Sequence, residues 1–456
     1  MPRYEYDDGT SPKFWEINII NDTYEVRCGK IGTKGQVSVK NFSSDQEAQL
    51  AADKIAAAKV KKGYGLVGKS SPSPVDPIDE LVRSIQIDPD NIEAWQVYSD
   101  YLQTQNDPHG ELIALGIAIE KASETSETRE KVEQVQVRFD QIWAENKFAC
   151  LGEVAEFISD EESFILKWRY GYLLDVHVTY QDKLTFFKKR VLLGTLFDIS
   201  VGQFIQSLTF GFSGNSINNV VDFSACFDEF PSGVQRESVK HLKIGELYSK
   251  EYEFSWSFIG FVNKVFSLFP NLETLLVSGL WIEFGELKHH KLKTLNVLTG
   301  CLSPTGIKSI ANAMLPALES LTVWFGRELV SDEGVCKALE PLLQGNGYAS
   351  LKHLGLMNAE VEDEILQALV KAPIMKQLIS LNLSMGTMTD NGAQVLLENR
   401  EVFQHLRSIN LSDNHLSKDM SVRLKKMFLG IINTDNQRAF EIDEDGNIET
   451  YVSAGE

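Results

Sequence analysis

Residues 378–416 carry one phrase twice. Leu378, Leu381 and Leu383 stand at LxxLxL spacing and lead to Met388; Leu406, Ile409 and Leu411 repeat the spacing and lead to Asn414 and Leu416. The LxL core is a short strand that sends alternate residues to one side. Asn414 falls in the following turn, where a polar side chain bonds backbone groups that the turn leaves open. Thr389-Asp390 and Ser417-Lys418-Asp419 then start helices whose apolar faces return over the strand. A single unit of this kind cannot bury its own apolar side, so copies have to stack.

The phrase recurs toward the N-terminus. First positions fall at residues 205, 239, 272, 292, 318, 351, 378 and 406, a mean step of about 29 residues. Ser303-Pro304-Thr305-Gly306 and Ser331-Asp332-Glu333-Gly334 supply two further caps for outer helices. The second copy, LRSINLSDNHL, fits LxxLxLxxNxL with Ile in place of the second Leu. Residues 200–430 therefore resemble the ribonuclease-inhibitor-like class of leucine-rich repeats, whose long units hold a full outer helix. The resemblance implies a curved α/β solenoid with a parallel inner sheet and a partner on its concave face.

That face is read from the residues between the strand leucines. Two positions after each first leucine stand His241, His353 and six Ser or Thr residues, a column with no formal charge when the histidines are neutral. Six positions after it, Leu298, Trp324 and Met357 are consecutive, so stacking sets them side by side, with Leu276 as a neighbour. One reading is an apolar anchor for a protein partner, because aromatic residues and Met are favoured at interface centres. The other is that the turn before the next helix covers them.

The first seventy residues follow a different pattern. Phe14 to Ile19 alternates as a strand, Tyr24 to Gly32 forms a second and Val37 to Phe42 a third, with Lys34-Gly35 turning between the last two. Ser43-Ser44-Asp45-Gln46-Glu47 caps an Ala-rich helix that runs to Lys62. FW in the first strand, GKIGTKGQ in the core and KVKKGY at the end resemble a WGR domain, a small module found in poly(ADP-ribose) polymerases and fused to many bacterial proteins. The resemblance implies contact with DNA ends through the Trp and Arg that name the family. Here those places hold Cys28 and Lys30. Cys cannot stack on a base, and an ammonium is a point charge rather than a planar fork. The candidate nucleic-acid residues are Arg27, Lys30, Lys34, Lys59, Lys61 and Lys62.

Between these parts, Ser70 to Ile78 reads as a Pro/Ser linker. Residues 79–163 read as helices carrying Asp88-Pro89-Asp90, Tyr98-Ser99-Asp100-Tyr101-Leu102 and Asp107-Pro108-His109-Gly110-Glu111. These phrases resemble the helical companion module of bacterial leucine-rich-repeat proteins, here expected to cap the solenoid. The expected division is thus 1–69 WGR-like, 70–78 linker, 79–163 helical cap, 164–435 repeats beginning near Trp168–Val178, and 436–456 a capping hairpin or acidic tail. Asp443, Asp445 and Asn447 start like a calcium loop, but Ala454 stands where the closing Glu belongs.

Charge narrows the partners. The chain carries −20, yet residues 1–70 hold eleven Lys/Arg against nine Asp/Glu, a net +2, which leaves −22 on the rest. Only the N-terminal module suits a polyanion. The five scattered cysteines form no CxxC pair, which favours reduced thiols and a cytoplasmic setting. Met1 is followed by no apolar run, and no stretch approaches a membrane span, so neither a leader nor a membrane is expected. Cys301 and Cys336 are expected to be buried, and His289-His290 to be a solvated turn. No nucleophile elbow, phosphate loop or HExxH motif is present. The expected protein is a bacterial, non-catalytic adaptor without cofactor, binding a protein on the repeats and DNA or RNA at the N-terminal module. The alternative is a protein-only scaffold or inhibitor whose WGR-like module has lost DNA.

Overall fold

The structure, a computed structural model, describes residues 3–6, 12–20, 23–31, 33, 35–42, 51–52, 54–56, 58–59, 61–62, 64–67, 76–124, 129–155, 164–179, 191, 194–211, 223–224, 227, 230, 234–245, 258–327, 334–442, 448–449 and 451–453. The chain divides into two compact units, Met1–Glu80 and Leu81–Glu456.

The first unit is a five-stranded antiparallel sheet of order β4-β3-β2-β1-β5, made of β1 (Arg3–Tyr6), β2 (Lys13–Ile20), β3 (Thr23–Lys30), β4 (Gln36–Asn41) and β5 (Gly65–Val67). The described residues between 51 and 61 are helical. Their Ala52 buries against Trp15, Ile17, Tyr24 and Val26 on one side of the sheet. Strand alternation is the cause: Trp15 pairs with Cys28 and Ile17 with Val26, so one face of each strand is apolar. The expected cap at 43–47 lies outside the described residues.

In the second unit four helices precede the sheet: α1 (Pro77–Ile87, whose first turn belongs to the first unit), α2 (Ile92–Thr104), α3 (Pro108–Glu124) and α4 (Arg129–Leu151). The expected linker therefore ends before Pro77, which suits the first turn of a helix. Asn91 caps α2 by accepting the Ala94 N–H at 3.0 Å. Trp95 of α2 is fully buried, its ring 4.8 Å from Phe204, 5.3 Å from Tyr170 and 5.6 Å from Tyr172. Its indole N–H donates to Pro89 O at 2.8 Å. Arg169 also bonds Pro89 O and joins Asp90 and Glu120. These aromatic and ionic contacts fasten the helices to the first strands.

The second sheet has eleven strands. Antiparallel β6 (Phe164–Arg169) leads it, followed by ten parallel strands: β7 (Tyr172–Val178), β8 (Ser207–Phe210), β9 (His241–Ile244), β11 (Thr274–Ser278), β13 (Thr294–Leu298), β14 (Ser320–Gly326), β15 (His353–Ala359), β16 (Ser380–Asn382), β17 (Ser408–Asn410) and β18 (Ile432–Asn433). A separate parallel pair, β10 (Phe258–Phe261) and β12 (Leu280–Glu283), lies beside them. The eight expected phrases align in the expected register: Leu208, Leu242, Leu275, Leu295, Leu321, Leu354, Leu381 and Ile409 are successive partners. Each is at most 1% exposed, and full burial of such a side chain contributes about 1.5–3 kcal/mol.

Two rungs lie outside the eight phrases, one of them where the repeats were expected to begin. Leu173, Val176 and Val178 form an earlier copy, with Val176 paired to Leu208. After Gly430, where the pattern was expected to stop, β18 adds one more parallel strand on β17. The expected hairpin is present as β19 (Glu441–Ile442) and β20 (Ile448–Glu449). Arg438 ties the C-terminal segment down by donating to the carbonyls of Asp413 at 3.1 Å, Tyr451 and Gly386.

Outer helices follow their caps. Ser303 accepts the Gly306 N–H at 2.9 Å and Ser417 that of Met420 at 3.1 Å. The Ser331-Asp332 cap lies outside the described residues, and the helix after it, Val335–Ala338, begins at Gly334. Asn414 does what its turn position requires, accepting the Met388 N–H at 3.0 Å and donating to Leu383 O at 2.8 Å. Gly386 occupies the equivalent place one rung earlier. A Cβ there would lie 2.2 Å from Cγ of Glu362, so the glutamate fills that space.

Glu362 is fully buried, and neither carboxyl oxygen has a well-formed hydrogen bond among the described residues. Burial holds its carboxyl well above the usual carboxylate range, opposed only in part by the backbone of Ala359. A raised folded pKa means the folded chain binds the proton more tightly than the unfolded one. The resulting stability is fully present below the ordinary glutamate pKa of about 4.3 and is lost as pH rises through the folded value. Glu362→Gln should therefore gain stability relative to the native chain as pH increases into the neutral range. Denaturant midpoints at a series of pH values test this; a pH-independent difference would refute it.

Candidate functional site

The N-terminal sheet separates the predicted basic residues by face. In an antiparallel sheet directly opposed residues share a face. Lys30 opposes Lys13, and Lys13 opposes Tyr6, in a row on the face that also carries Trp15 and Cys28. Arg27 opposes Glu16 and Val37 on the other face. Lys34 lies outside the described residues.

The helix brings a third ammonium to the Lys13–Lys30 side. Lys59 Nζ lies 4.8 Å from the Tyr64 ring centroid and 5.6 Å from that of Trp15. Tyr64 stacks on Tyr6 at 5.3 Å with a 29° interplanar angle. The turn that places Tyr64 is closed by its N–H on Lys59 O at 3.2 Å. Lys61 and Lys62 are exposed at the same helix end. The result is a patch of Lys13, Lys30 and Lys59 around a stacked tyrosine pair. Lys13 and the two tyrosines were not singled out from the sequence, because cross-strand register, not linear spacing, joins them. Cys28 sits directly opposite Trp15, half-buried against the module core.

On the repeats the structure confirms which residues are neighbours. The first column runs Ser207, His241, Thr274, Thr294, Ser320, His353, Ser380 and Ser408 in continuous pairing. His353 is exposed, its Nδ1 2.8 Å from Ser380 Oγ. Burial among its neighbours pushes the His241 pKa down, which favours the neutral imidazole. Leu298 extends the row from Ser278, and Trp324 pairs directly with Met357. Leu298 and Met357 are each 8% exposed, and Trp324 and Leu276 are partly buried. The apolar group is thus set into the face, with Trp324 its most accessible ring.

Two features of this face went unread in the sequence. The positions four after each first leucine also form a column, which from Thr209 to Asn433 includes Lys243, Leu276 and Asn296 and has no carboxylate. At Gly355 this column has no side chain, and Met357 and Thr322 close over the buried glycine, with Asn382 Nδ2 3.1 Å from Met357 Sδ. Along the rim, one position after each first leucine, Lys240, Glu273, Lys293, Glu319 and Lys352 alternate in sign. Lys293 meets Glu273 at 2.7 Å and Lys352 meets Glu319 at 3.2 Å. Exposed pairs contribute little stability, but they leave this rim nearly neutral.

Other expectations are corrected. His289 is buried rather than solvated: its Nδ1 accepts the Leu292 N–H at 3.0 Å, so Nε2 carries the proton toward Phe269 O at 3.1 Å. Only His290 is exposed. Cys301 and Cys336 are half-buried, because each stands next to the fully packed position rather than on it. No described helix is long and apolar enough to cross a membrane.

Residues 3–71 match the family model for the WGR domain. Two Escherichia coli K12 proteins are similar in part. The uncharacterized protein YfeS is 40% identical over 62 residues, 14% of this chain and 25% of its own length. Protein YehF is 33% identical over 87 residues, 19% of this chain and 31% of its own. The chain thus spans about a quarter to a third of these relatives. A Bacteroides fragilis protein of known crystal structure aligns over 96% of this chain and 97% of its own, at 22% identity and a TM-score of 0.49.

Lys13 and Lys30 place like charges directly across a strand pair, an arrangement that costs a fraction of a kcal/mol. Lys13→Glu should therefore stabilise the N-terminal unit at low salt by about 0.2–1 kcal/mol, read as a higher thermal midpoint. Added salt should shrink the gain. A lower midpoint for Lys13→Glu would show that the two ammonium groups do not face each other.

Proposed function

We infer that this chain is a bacterial, cytoplasmic, non-catalytic recognition adaptor. Its leucine-rich repeats take a protein partner on the concave face, and its WGR domain takes nucleic acid on the Lys13/Lys30/Lys59 face. The helices before the sheet act as the companion cap of bacterial leucine-rich-repeat proteins. The observation that carries the nucleic-acid part is the convergence of three lysines beside a stacked Tyr6–Tyr64 pair in an otherwise acidic chain. Like charges held together favour a polyanion between them, and the half-buried tyrosine pair beside them offers an aromatic surface that takes bases without reading sequence. Such contacts position a strand but do not specify it.

Cys28 supports a second reading. Where the WGR pattern has its Trp, this thiol is turned toward Trp15 and half-buried, so it offers nothing for a base or sugar to stack on. In that reading the module docks a protein, and the whole chain is a protein-only scaffold or inhibitor.

Titration of the full chain with labelled duplex ends and single strands separates the two. At about 0.9 per phosphate contact, three or four contacts give a slope of log affinity against log salt of about −3. Replacing Lys13, Lys30 and Lys59 together by Gln should flatten that slope and cost at least tenfold in affinity. Arg27→Gln, on the other face, should change it less than threefold. No binding at low salt, or equal loss from Arg27→Gln, leaves the scaffold reading in place.

For the repeats, Trp324→Ala should weaken capture of the native partner by about 2 kcal/mol or more. Undiminished capture moves the partner off this face.

A further inference from the structure

The N-terminal sheet ends in two unlike edges. β5 is three residues long, whereas β4 presents six, all exposed. β4 pairs with β3 without interruption from Thr23↔Asn41 to Cys28↔Gln36, so it carries no bulge to twist it away from another strand. It has no proline, and Lys40 is its one charge. Val37 and Val39 are 52% and 59% exposed, the reverse of what β-branched residues reach inside a sheet. Proteins ordinarily blunt such an edge with charge, proline or brevity. β4 uses none of these except a single lysine.

Its sequence is complementary to itself. An antiparallel neighbour related by a two-fold axis normal to the sheet brings residues together whose numbers have a constant, even sum. With the axis at Ser38, Val37 faces Val39 of the second copy and Val39 faces its Val37. On the opposite face Ser38 meets Ser38 and Lys40 meets Gln36. Every valine finds a valine, and no charge meets a like charge. Moving the axis to Val39 leaves one valine pair and sets Val37 against Asn41. The four valines would form a short apolar seam in a row flanked by Arg27 and Glu25, which oppose Val37 and Val39 within each copy.

We propose that β4 is an isologous dimer edge, and that two copies of this chain join there into one ten-stranded antiparallel sheet. Its occupant is a second copy rather than a foreign strand, because the register that satisfies every side chain is the one β4 makes with itself. The pairing goes beyond the recognition roles of the two faces: it uses an edge that neither the lysine patch nor the repeats require. It would also double the polyanion-facing patches in one particle.

Sedimentation of the full chain over a range of concentrations tests it. The expected result is a reversible shift from the 51.2 kDa monomer to twice that mass. Val37→Lys with Val39→Lys should abolish the shift and leave the unfolding midpoint unchanged, since both side chains are exposed. Ser38→Cys gives an independent readout of register. Directly opposed antiparallel Cα atoms lie about 4.5–5.5 Å apart, within disulfide reach. Ser38→Cys should therefore yield a covalent dimer under mild oxidation, while Lys40→Cys, separated from its own copy by several residues, should not. A chain that stays monomeric at every concentration overturns the proposal. So does a double-lysine variant that still dimerises, or equal crosslinking at positions 38 and 40.

Discussion

The side-by-side stacking of buried aliphatic columns is the interaction on which the larger unit rests. Leu295 is flanked by Leu275 and Leu321 of the neighbouring rungs, and one unit alone leaves those sides open. Stability in such an array is nearest-neighbour, so its ends need separate provision. At the front, antiparallel β6 closes the sheet and the Trp95 cluster covers it. At the back, β18 and the Arg438-tied segment do so. Both ends use polar anchoring, Arg169 on Pro89, Asp90 and Glu120 and Arg438 on backbone carbonyls, where an aliphatic column has no further neighbour.

Departures from regularity are concentrated where one rung meets the next loop. Gly386 leaves space that Glu362 fills with a buried carboxyl, and Asn414 one rung later fills the same need with an amide. The amide is satisfied by four backbone groups, the acid by none that is well formed. The same repeat position thus carries two solutions of unequal electrostatic cost. Only the acid couples the stability of the array to pH.

Charge is distributed with the same economy. The chain is strongly acidic, yet the inner sheet face from β8 onward carries no carboxylate: it is hydroxyl, amide and imidazole around an apolar centre, with the ammonium of Lys243, and its rim alternates Lys and Glu. So little charge steers a partner weakly, and selectivity there rests on shape and hydrogen bonding around Trp324. The N-terminal sheet does the opposite. It gathers lysines on one face, mixes Arg and Glu on the other and leaves valines on one edge.

The amino-acid sequence by itself determined the repeat period, the identity of the buried columns and their register. These follow from local spacing: a strand has period two, and a one-residue slip would expose every leucine. Most outer-helix caps were legible for the same reason. The rung at Leu173 was expected only as the start of the sheet, and the one at Ile432 was not read, since at the ends of an array the phrase is blurred and pairing, not pattern, defines a strand. Tertiary structure alone decided what joins across strands. It set Lys13 against Lys30, put Arg27 on the opposite face and sank Leu298 and Met357 into the surface. It also buried His289, whose two ring nitrogens find backbone partners in the stretches at 269 and 292. Outside the repeated phrase, linear spacing carries no information about such partners, because loop length and sheet register, not side-chain chemistry, set which residues meet.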